Sequence, residues 1–396
     1  MASKINLVSR IQAFNAGRDP VRLQLKYAAM KKDPFGFLRG ACHLFYEDLN
    51  TSALPKSPLV WSAGDLHLGN FGSYKSDNRL TYFDINDFDE ACLAPASWDM
   101  VRFLSSLIVA AHCIDMNARA ISHLLGAFLE SYATALREGK ARWVERAISE
   151  GLIRTLFVRV KKRDRRQFLN ARTFLRKGER RLLLDGKRAL PLASGERTML
   201  REFMAKYASR QANPEFFRFG DAARRIAGLG SLGLDRYIIL MSGRGGPDGD
   251  FLLDIKYEPG SCVPRSKGNP QPAWASEAER VATTQRNVQA APPALLDPVY
   301  INRRSYLVRE LMPTGDRLTV DHWRNDEPAF AAAVRTLGQV VAWGSLRSHG
   351  RKGAAGAEEL IDFGHKSAWT KSLKEIAYDR ARSTVEQWRD FSEQKL

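Results

Sequence analysis

The chain has 396 residues, 44% of them hydrophobic, and carries 61 Lys and Arg against 44 Asp and Glu, a formal net charge of +17 at pH 7. A chain of this length is expected to bury a large core and to fold as two lobes, and its basic balance favours anionic partners. Because the sequence has no run of about 18 or more apolar residues and begins without an apolar signal stretch, we expect a cytoplasmic protein without a membrane span.

Helices dominate the predicted elements of the first half. The spacing of apolar residues predicts them over residues 5–32, 35–49, 97–111, 116–138, 140–150 and 197–209. Short strands are predicted over 58–61, 70–74 and 80–87, and the turn residues 75–78 join the last two into a hairpin. A further hairpin is predicted over 182–190, with Asp185-Gly186 at its turn.

A strongly basic segment lies between Arg154 and Arg188. Its cations include Arg159, Lys161, Lys162, Arg163, Arg165, Arg166, Arg176, Lys177, Arg180 and Arg181. One interpretation is a solvated, electropositive helix face. The alternative is a docking site for an anionic partner, including nucleic acid, although no aromatic-rich RNA motif or zinc-finger spacing accompanies the charges.

The character of the chain changes after residue 216. A glycine-rich turn over 226–233 precedes predicted strands over 236–241 and 251–258, which a loop at 243–250 connects. Beyond them the pattern predicts a helix over 274–291, strands over 299–301 and 305–311, and helices over 320–349 and 367–392. The four cysteines, Cys42, Cys92, Cys113 and Cys262, form no C-x-x-C pair, which argues against a zinc site or a disulfide framework.

The most informative polar residues are Asp65, Asn70 and Asp87, which fall around the first predicted hairpin. Kinase-type phosphotransfer needs one carboxylate that orients or deprotonates the acceptor, together with an amide and a second carboxylate that hold Mg²⁺ on the ATP phosphates. Asp84 and Asp89 are rivals for the metal role, and Asp89 is a candidate second ligand. His67 is expected to support the loop by hydrogen bonding, and Asp99 to cap or brace it.

A second set of candidates surrounds the glycine-rich turn. The turn lies between two predicted strands and contains Gly228, Gly230, Ser231 and Gly233. This position favours a loop whose backbone N–H groups approach phosphates. It argues against a dinucleotide-binding turn, because such a turn opens a helix. The alternative is a flexible surface hairpin. Lys256 on the next strand is the candidate phosphate-contacting lysine, and an acid on the following helix should pair with it. Glu277 is preferred to Glu279 because it shares a face with Val281 and Val288.

These residues resemble the catalytic segment of aminoglycoside phosphotransferases and choline kinases. The similarity rests on Gly64 to Asn70, on Asn86-Asp87-Phe88-Asp89-Glu90-Ala91 and on Trp98-Asp99. It extends to an uncharacterised bacterial family of the kinase-like superfamily through the motifs Phe37-Leu38-Arg39-Gly40, Asn70-Phe71-Gly72, Gly230 to Gly233, Ile255-Lys256 and the helix that carries Arg280, Val281, Gln285, Arg286 and Gln289.

The resemblance implies roles for individual residues. It makes Asp65 the catalytic base, Asn70 and Asp87 the metal ligands, and Lys256 the lysine on the phosphates. Arg309-Glu310 would end a strand that leads into the hinge that holds the adenine edge. In ordinary kinases the nucleotide lobe precedes the catalytic segment, whereas here it follows, so the resemblance implies a circular permutation.

The fold expected from this resemblance is α+β and two-lobed. Residues 1–212 form the first part of a helical lobe with the catalytic and metal-binding loops, 213–315 a small antiparallel nucleotide lobe, and 316–396 the rest of the helical lobe. The expected function is ATP- and Mg²⁺-dependent transfer of a phosphoryl group to a hydroxyl of an unknown small-molecule acceptor. The alternatives are transfer of AMP to a protein and a non-catalytic nucleotide-sensing or anion-binding module.

Overall fold

A computed structural model describes residues 6–268, 270–319, 321–322 and 326–394. Its helices are α1 Leu7–Phe14, α2 Pro20–Lys32, α3 Pro34–Gly40, α4 Cys42–Glu47, α5 Ala96–His112, α6 Ala118–Glu138, α7 Gly151–Lys161, α8 Arg165–Asn170, α9 Glu196–Ala208, α10 Cys262–Lys267, α11 Glu277–Val288, α12 Glu327–Ser348, α13 Ala357–His365 and α14 Ala368–Glu393. Residue 5 of the first predicted helix, and 320 and 323–325 of the helix predicted over 320–349, lie outside the described residues.

The strands of the described residues form one large sheet and three two-stranded sheets. They are β1 Leu59–Ser62, β2 Phe71–Lys75, β3 Thr81–Ile85, β4 Cys92–Pro95, β5 Thr173–Arg176, β6 Glu179–Leu182, β7 Ala189–Leu190, β8 Phe219–Arg225, β9 Arg236–Met241, β10 Phe251–Tyr257, β11 Asp297–Ile301 and β12 Arg304–Glu310. The large sheet is antiparallel with the order β11-β12-β10-β9-β8-β7, while β1 pairs with β4, β2 with β3 and β5 with β6. The chain is therefore a mixed α+β protein.

The main hydrophobic core surrounds α5. Nearly every residue of this helix is buried, and it packs against α14 and α6, while α12 packs on α6. A separate apolar cluster lies between α9 and one face of the large sheet, and includes Leu200, Met204, Ile239 and Ile255. The opposite face meets residues of the basic segment, because Leu169 of α8 and Leu182 of β6 pack on Ile238 and Leu252.

Most predicted elements are confirmed within a few residues, and α5 and β9 match closely. The helix predicted over 35–49 is divided into α3 and α4, and three further predictions are wrong. The pattern over 5–32 contains two helices, separated at Gly17, whose φ of 78° favours glycine, and Asp19 caps the second by accepting from the Arg22 N–H. The helix predicted over 140–150 is absent. Gly139 caps α6, the next helix begins at Gly151, and Trp143 and Ile148 are exposed in the loop between them.

The predicted hairpin over 182–190 is the third error. β6 pairs backwards with β5, whereas β7 joins the edge of the large sheet beside β8. Asp185 occupies the link between them, and its carboxylate accepts from the N–H groups of Lys187, Arg188 and Ala189. Asp185 is therefore a turn residue, as predicted. The strands on either side of it do not pair with each other, because each pairs with a more distant strand. Helix α13 was not predicted.

Candidate functional site

A cleft of about 400 Å³ collects most of the predicted site residues from distant parts of the chain. Its lining includes Asp65, Asn70, Asp87, Asp89, Gly228, Gly230, Ser231 and Lys256. Gly233, Glu277, Arg309 and Glu310 do not line it. A larger groove of about 840 Å³ lies between α9, the β5–β6 hairpin and the large sheet; its lining includes Arg180 and Arg181 of the basic segment but none of the residues predicted for the nucleotide, the metal or the catalytic base.

The loop that carries Asp65 is braced by Asp99, as the sequence predicted. The Asp99 carboxylate, on the first turn of α5, accepts from the N–H groups of Ala63 at 2.8 Å and Gly64 at 3.0 Å. Gly64 has a φ of 78°, and a Cβ placed there would lie 2.0 Å from the carbonyl oxygen of Glu90. Only glycine therefore lets the loop cross the Glu90 backbone and present the next residue to the cleft.

Asp65 is held by Arg102, a fully buried residue of α5. The Nε and Nη2 atoms of Arg102 both donate to Oδ1 of Asp65, at 2.9 and 2.7 Å. The other carboxylate oxygen has no hydrogen bond among the described residues. Burial raises the pKa of Asp65 to about 6, although the guanidinium of Arg102 opposes this shift. A carboxyl with one fixed and one free oxygen suits a proton acceptor at near-neutral pH.

Asn70 lies at the end of the same loop and faces both the loop and the cleft. Its Nδ2 donates to the backbone carbonyl of Asp65 at 2.7 Å, which fixes the amide orientation. Its Oδ1 is buried, and among the described residues it has no hydrogen-bond partner. A buried carbonyl oxygen without a partner is costly unless a ligand occupies it. Amide and carboxylate oxygens are the ligands that Mg²⁺ prefers.

Asp87 is the second candidate ligand and also lacks a close cation. The nearest is Arg317, whose Nη2 lies 3.9 Å from Oδ2 of Asp87. Burial, followed by repulsion from Asp89, raises the pKa of Asp87. The described residues contain no group of three or more His, Cys, Asp or Glu that is placed to hold a metal. The donor set that fits Mg²⁺ here is therefore an amide and a carboxylate, with substrate oxygens completing it.

Asp89, the third residue proposed for the metal, is engaged elsewhere. It forms an ion pair with Lys256 of β10, and this contact lowers the pKa of Asp89 to about 2 although burial acts in the opposite direction. Lys256 also lies 3.0 Å from Glu258, two residues along the same strand. The Lys256 side chain is buried, and its contacts with Asp89 and Glu258 fix the position of its ammonium group beside the cleft.

The expected partner of Lys256 was Glu277, and the structure corrects this assignment. The Glu277 carboxylate lies 2.6 Å from Arg280, one turn along α11, and its side chain is 43% exposed. Glu279 instead accepts from the backbone N–H of Ala275. Both acids belong to the first turn of α11, where negative charge is favourable. The nearer partner, Glu258, is signalled by the two-residue period of a strand, which places it on the same face as Lys256.

The glycine-rich loop joins β8 to β9, and residues from the start of the chain hold its carbonyl groups. Arg18 donates to Gly230 O at 2.8 Å, and Lys26 donates to the same oxygen at 3.0 Å. Arg22 donates to Leu234 O at 2.6 Å. Gly233 lies against Arg18, outside the cleft. These contacts hold the loop in a position in which Gly228 and Gly230 line the cleft.

The predicted hinge residues are engaged outside the cleft. Glu310 forms an ion pair with Arg79 at 2.5 Å, and its N–H donates to Ala294 O. Arg309 lies 3.5 Å from Asp254, a buried carboxylate that also binds Arg225 and Arg236. The adenine-edge role assigned to Arg309 and Glu310 is therefore not supported by their contacts.

Three arginines at the cleft were given no role from the sequence, although Arg39 belongs to the motif Phe37-Leu38-Arg39-Gly40, because only tertiary contacts reveal what they face. Arg102, Arg39 and Arg317 converge on the carboxylates of the cleft, and Arg39 and Arg317 line it. Arg102 carried a signal, since an arginine three residues after Asp99 in an apolar helix needs a buried anion. His67 was predicted to support the loop, and its Nδ1 accepts from the Gly69 N–H at 3.1 Å.

Many cations of the basic segment hold other loops of the protein. Arg163 binds Asp316, Arg180 binds Asp248 at 2.8 Å, and Arg165 donates to the Asp248 carbonyl at 2.8 Å. These contacts neutralise part of the segment's charge within the protein, which neither interpretation of the segment anticipated. No helix among the described residues has the length and apolar character needed to cross a membrane.

Comparison with known proteins identifies a bacterial family. The model of a family described as uncharacterized protein conserved in bacteria (DUF2252) matches residues 18–394. No curated protein and no solved structure matches the chain.

Proposed function

The chain belongs to the DUF2252 family of bacterial proteins, and we propose that it is an ATP- and Mg²⁺-dependent phosphotransferase that acts on a hydroxyl group of a small-molecule acceptor. The observation that carries this proposal is the arrangement of Asn70. Its Nδ2 is bound to the Asp65 backbone, and its Oδ1 is buried in the cleft with no partner among the described residues. Such an oxygen beside the Asp87 carboxylate is suited to Mg²⁺.

The connectivity of the sheet supports a kinase-like, circularly permuted fold. The glycine-rich loop, the strand that bears Lys256, the helix α11 and the strands β11 and β12 follow one another in the order expected of a nucleotide lobe, and one sheet joins the strands. The catalytic segment, which comes earlier in the chain, meets them at a single cleft. Permutation preserves such contacts when the original ends lie close together.

The side chains of the cleft have separate roles in this proposal. Asp65 accepts the proton of the acceptor hydroxyl through its free oxygen, while Arg102 fixes its orientation. Lys256 contacts phosphate oxygens, and Asp89 and Glu258 hold its ammonium in place. Asn70 and Asp87 would hold Mg²⁺, which neutralises the phosphate charge when bound. The backbone N–H groups of the glycine-rich loop approach the phosphates.

The test is calorimetric titration of ATP with Mg²⁺ into wild-type protein and Asp87→Ala. We expect micromolar binding that weakens at least about tenfold in the variant, the equivalent of about 1.4 kcal/mol. Asp362→Ala, which removes an exposed carboxylate of α13, is the matched control and should bind as wild type does. Absence of binding to wild type would overturn the proposal.

Two other activities use the same site. Transfer of AMP to a protein would release pyrophosphate, whereas phosphoryl transfer releases ADP, so analysis of the nucleotide product separates them. A non-catalytic nucleotide sensor would bind ATP without turnover. The free oxygen of Asp65 and its raised pKa favour catalysis over sensing.

A further inference from the structure

We propose that the acceptor is itself an oxyanion, a hydroxylated molecule that carries a carboxylate or phosphate group, and that Arg39 and Arg317 bind this group. The inference rests on the proposed phosphotransfer and adds the chemical class of its acceptor. It follows from two arginines that line the cleft beside Asp65 and Asp87 without a close anionic partner.

Arg39 is the clearer of the two. It lies near the end of α3, and its backbone oxygen would be 3.4 Å from a Cβ at Gly230, so it is close to the glycine-rich loop. Its Nε is buried without a partner, and none of the described residues forms a hydrogen bond or ion pair with its guanidinium. Its guanidinium lies 5.7 Å from the centre of the Phe35 ring and feels the charges of Asp65 and Asp87 without a hydrogen bond to either.

Arg317 is fixed by its backbone. The segment pairs with the start of β2, since residues 72 and 317 form an isolated bridge and the Leu318 N–H donates to Phe71 O at 3.0 Å. A Cβ at Gly72 would lie 2.6 Å from Asp316 O, so the small residue permits this approach. The guanidinium makes only long contacts, 3.4 Å to Gly69 O and 3.9 Å to Asp87.

The other cations of the cleft already have partners. Lys256 lies between Asp89 and Glu258, Arg304 is paired with Asp235, and Arg18 donates to the carbonyls of the glycine-rich loop. Arg39 and Arg317 thus have the unused donors. A planar guanidinium matches carboxylate and phosphate oxygens, and desolvation strengthens such charge-assisted hydrogen bonds.

The acids of the cleft argue against a cationic acceptor. Asp65 is bound by Arg102, Asp89 by Lys256, and Glu90 accepts from the Cys262 N–H at 2.6 Å. Asp87 is the one assigned to the metal. No further carboxylate of the described cleft lining is available to receive an ammonium group.

The experiment measures oxyanion binding to the protein with and without Mg²⁺-ATP. The probes are inorganic phosphate and the pair D-glycerate and glycerol, which differ in one carboxylate, each titrated by calorimetry at constant ionic strength. We expect phosphate and glycerate, but not glycerol, to bind in both states, and binding to weaken at least about tenfold in Arg39→Gln and in Arg317→Gln. The control Arg119→Gln removes the same charge from an exposed position of α6, outside the basic segment, and should leave binding unchanged.

Several outcomes would overturn the inference. Equal binding of oxyanions to wild type and Arg39→Gln would show that the arginine is not the site. Loss of ATP affinity in Arg39→Gln, with phosphate still bound, would assign the arginines to the nucleotide. A thermal unfolding curve of each variant shows whether it is folded. Arg39→Lys keeps the positive charge but loses the planar guanidinium, so it is a second, milder test of the same side chain. Failure of ATP to bind wild type refutes the phosphotransfer proposal, while phosphate titration of the ligand-free protein still tests the arginines.

Discussion

The amide of Asn70 joins the two halves of the candidate site, since its Nδ2 donates to the backbone oxygen of Asp65 at 2.7 Å while its Oδ1 remains buried and without a described partner. One side chain therefore fixes the loop of the candidate base and offers an oxygen to a cation. The Asn86 N–H, in turn, donates to Asn70 O at 2.8 Å, which ties this residue to the segment that precedes Asp87.

Replacement of Asn70 should remove both its hydrogen bond to the Asp65 backbone and the oxygen that it offers to a cation. Asn70→Ala is expected to abolish the Mg²⁺ dependence of ATP binding, because the oxygen that completes the cation site is lost. The measurement is ATP affinity across a Mg²⁺ series. Asn78→Ala, in the exposed turn between β2 and β3, is the control. Unchanged Mg²⁺ dependence in Asn70→Ala would exclude this residue as a ligand.

The pKa of Asp65 predicts an acidic limb in the rate profile. Because burial raises this pKa to about 6, and the base acts only when ionised, turnover at saturating Mg²⁺-ATP should rise with pH through about 6 and level off above it. Asp65→Asn, of nearly equal size, should reduce turnover by about 10²–10⁴-fold with ATP affinity kept. A flat profile between about pH 5 and 8 in wild type would contradict the assignment.

Asp99 contributes to stability because its carboxylate accepts hydrogen bonds from the backbone N–H groups of Ala63 and Gly64. Asp99→Ala leaves both donors buried and unpaired, which should lower the free energy of unfolding by about 3 kcal/mol. Asp99→Asn keeps one acceptor oxygen and should lose about half as much. Urea denaturation measures both. A loss in Asp99→Ala no larger than that of the exposed control Asp362→Ala would show that the brace is not needed.

The partner of Lys256 can be tested with two substitutions of the same kind. Burial raises the pKa of Glu258 to about 8, so Glu258→Gln removes a carboxylate from the lysine only above about pH 8, where ATP affinity should fall by about tenfold. Glu277→Gln changes only the contact with Arg280 and should leave it unchanged. Calorimetric titration of both variants decides the matter, and the opposite pattern would restore Glu277 as the partner.

Short-range pattern was enough to predict much of this molecule. The motif around Asp65 and Asn70 predicted a loop beside a hairpin, and Lys256 reaches the same cleft through the strand that its apolar neighbours predicted. The loop role of His67 and the brace at Asp99 also followed from the motif, since both act on residues only a few positions away or on the helix that follows.

What the sequence did not reveal depends on contacts between distant segments. Arg39, Arg102 and Arg317 are ordinary arginines until the fold places them beside the same carboxylates. The choice of Glu277 assumed that the helix face with valines turns towards Lys256, whereas the ammonium found an acid on its own strand. Arg309 and Glu310 end β12, as the sequence predicted, but the Arg309 side chain pairs with Asp254 of the neighbouring strand β10, because a buried carboxylate requires cations wherever the fold supplies them.

The contacts of the glycine-rich loop have a kinetic consequence. Arg18 and Gly230 are 212 positions apart in the chain, yet Arg18, Arg22 and Lys26 together hold the loop's carbonyl groups. Lys26 is fully buried with neutral acceptors only, and this burial lowers its pKa well below the usual range. The loop therefore lifts only if the first two helices move with it or give up these bonds. Because residues 13, 14 and 16–18 also line the cleft, we expect the residence time of a molecule bound under the loop to depend on the N-terminal helices.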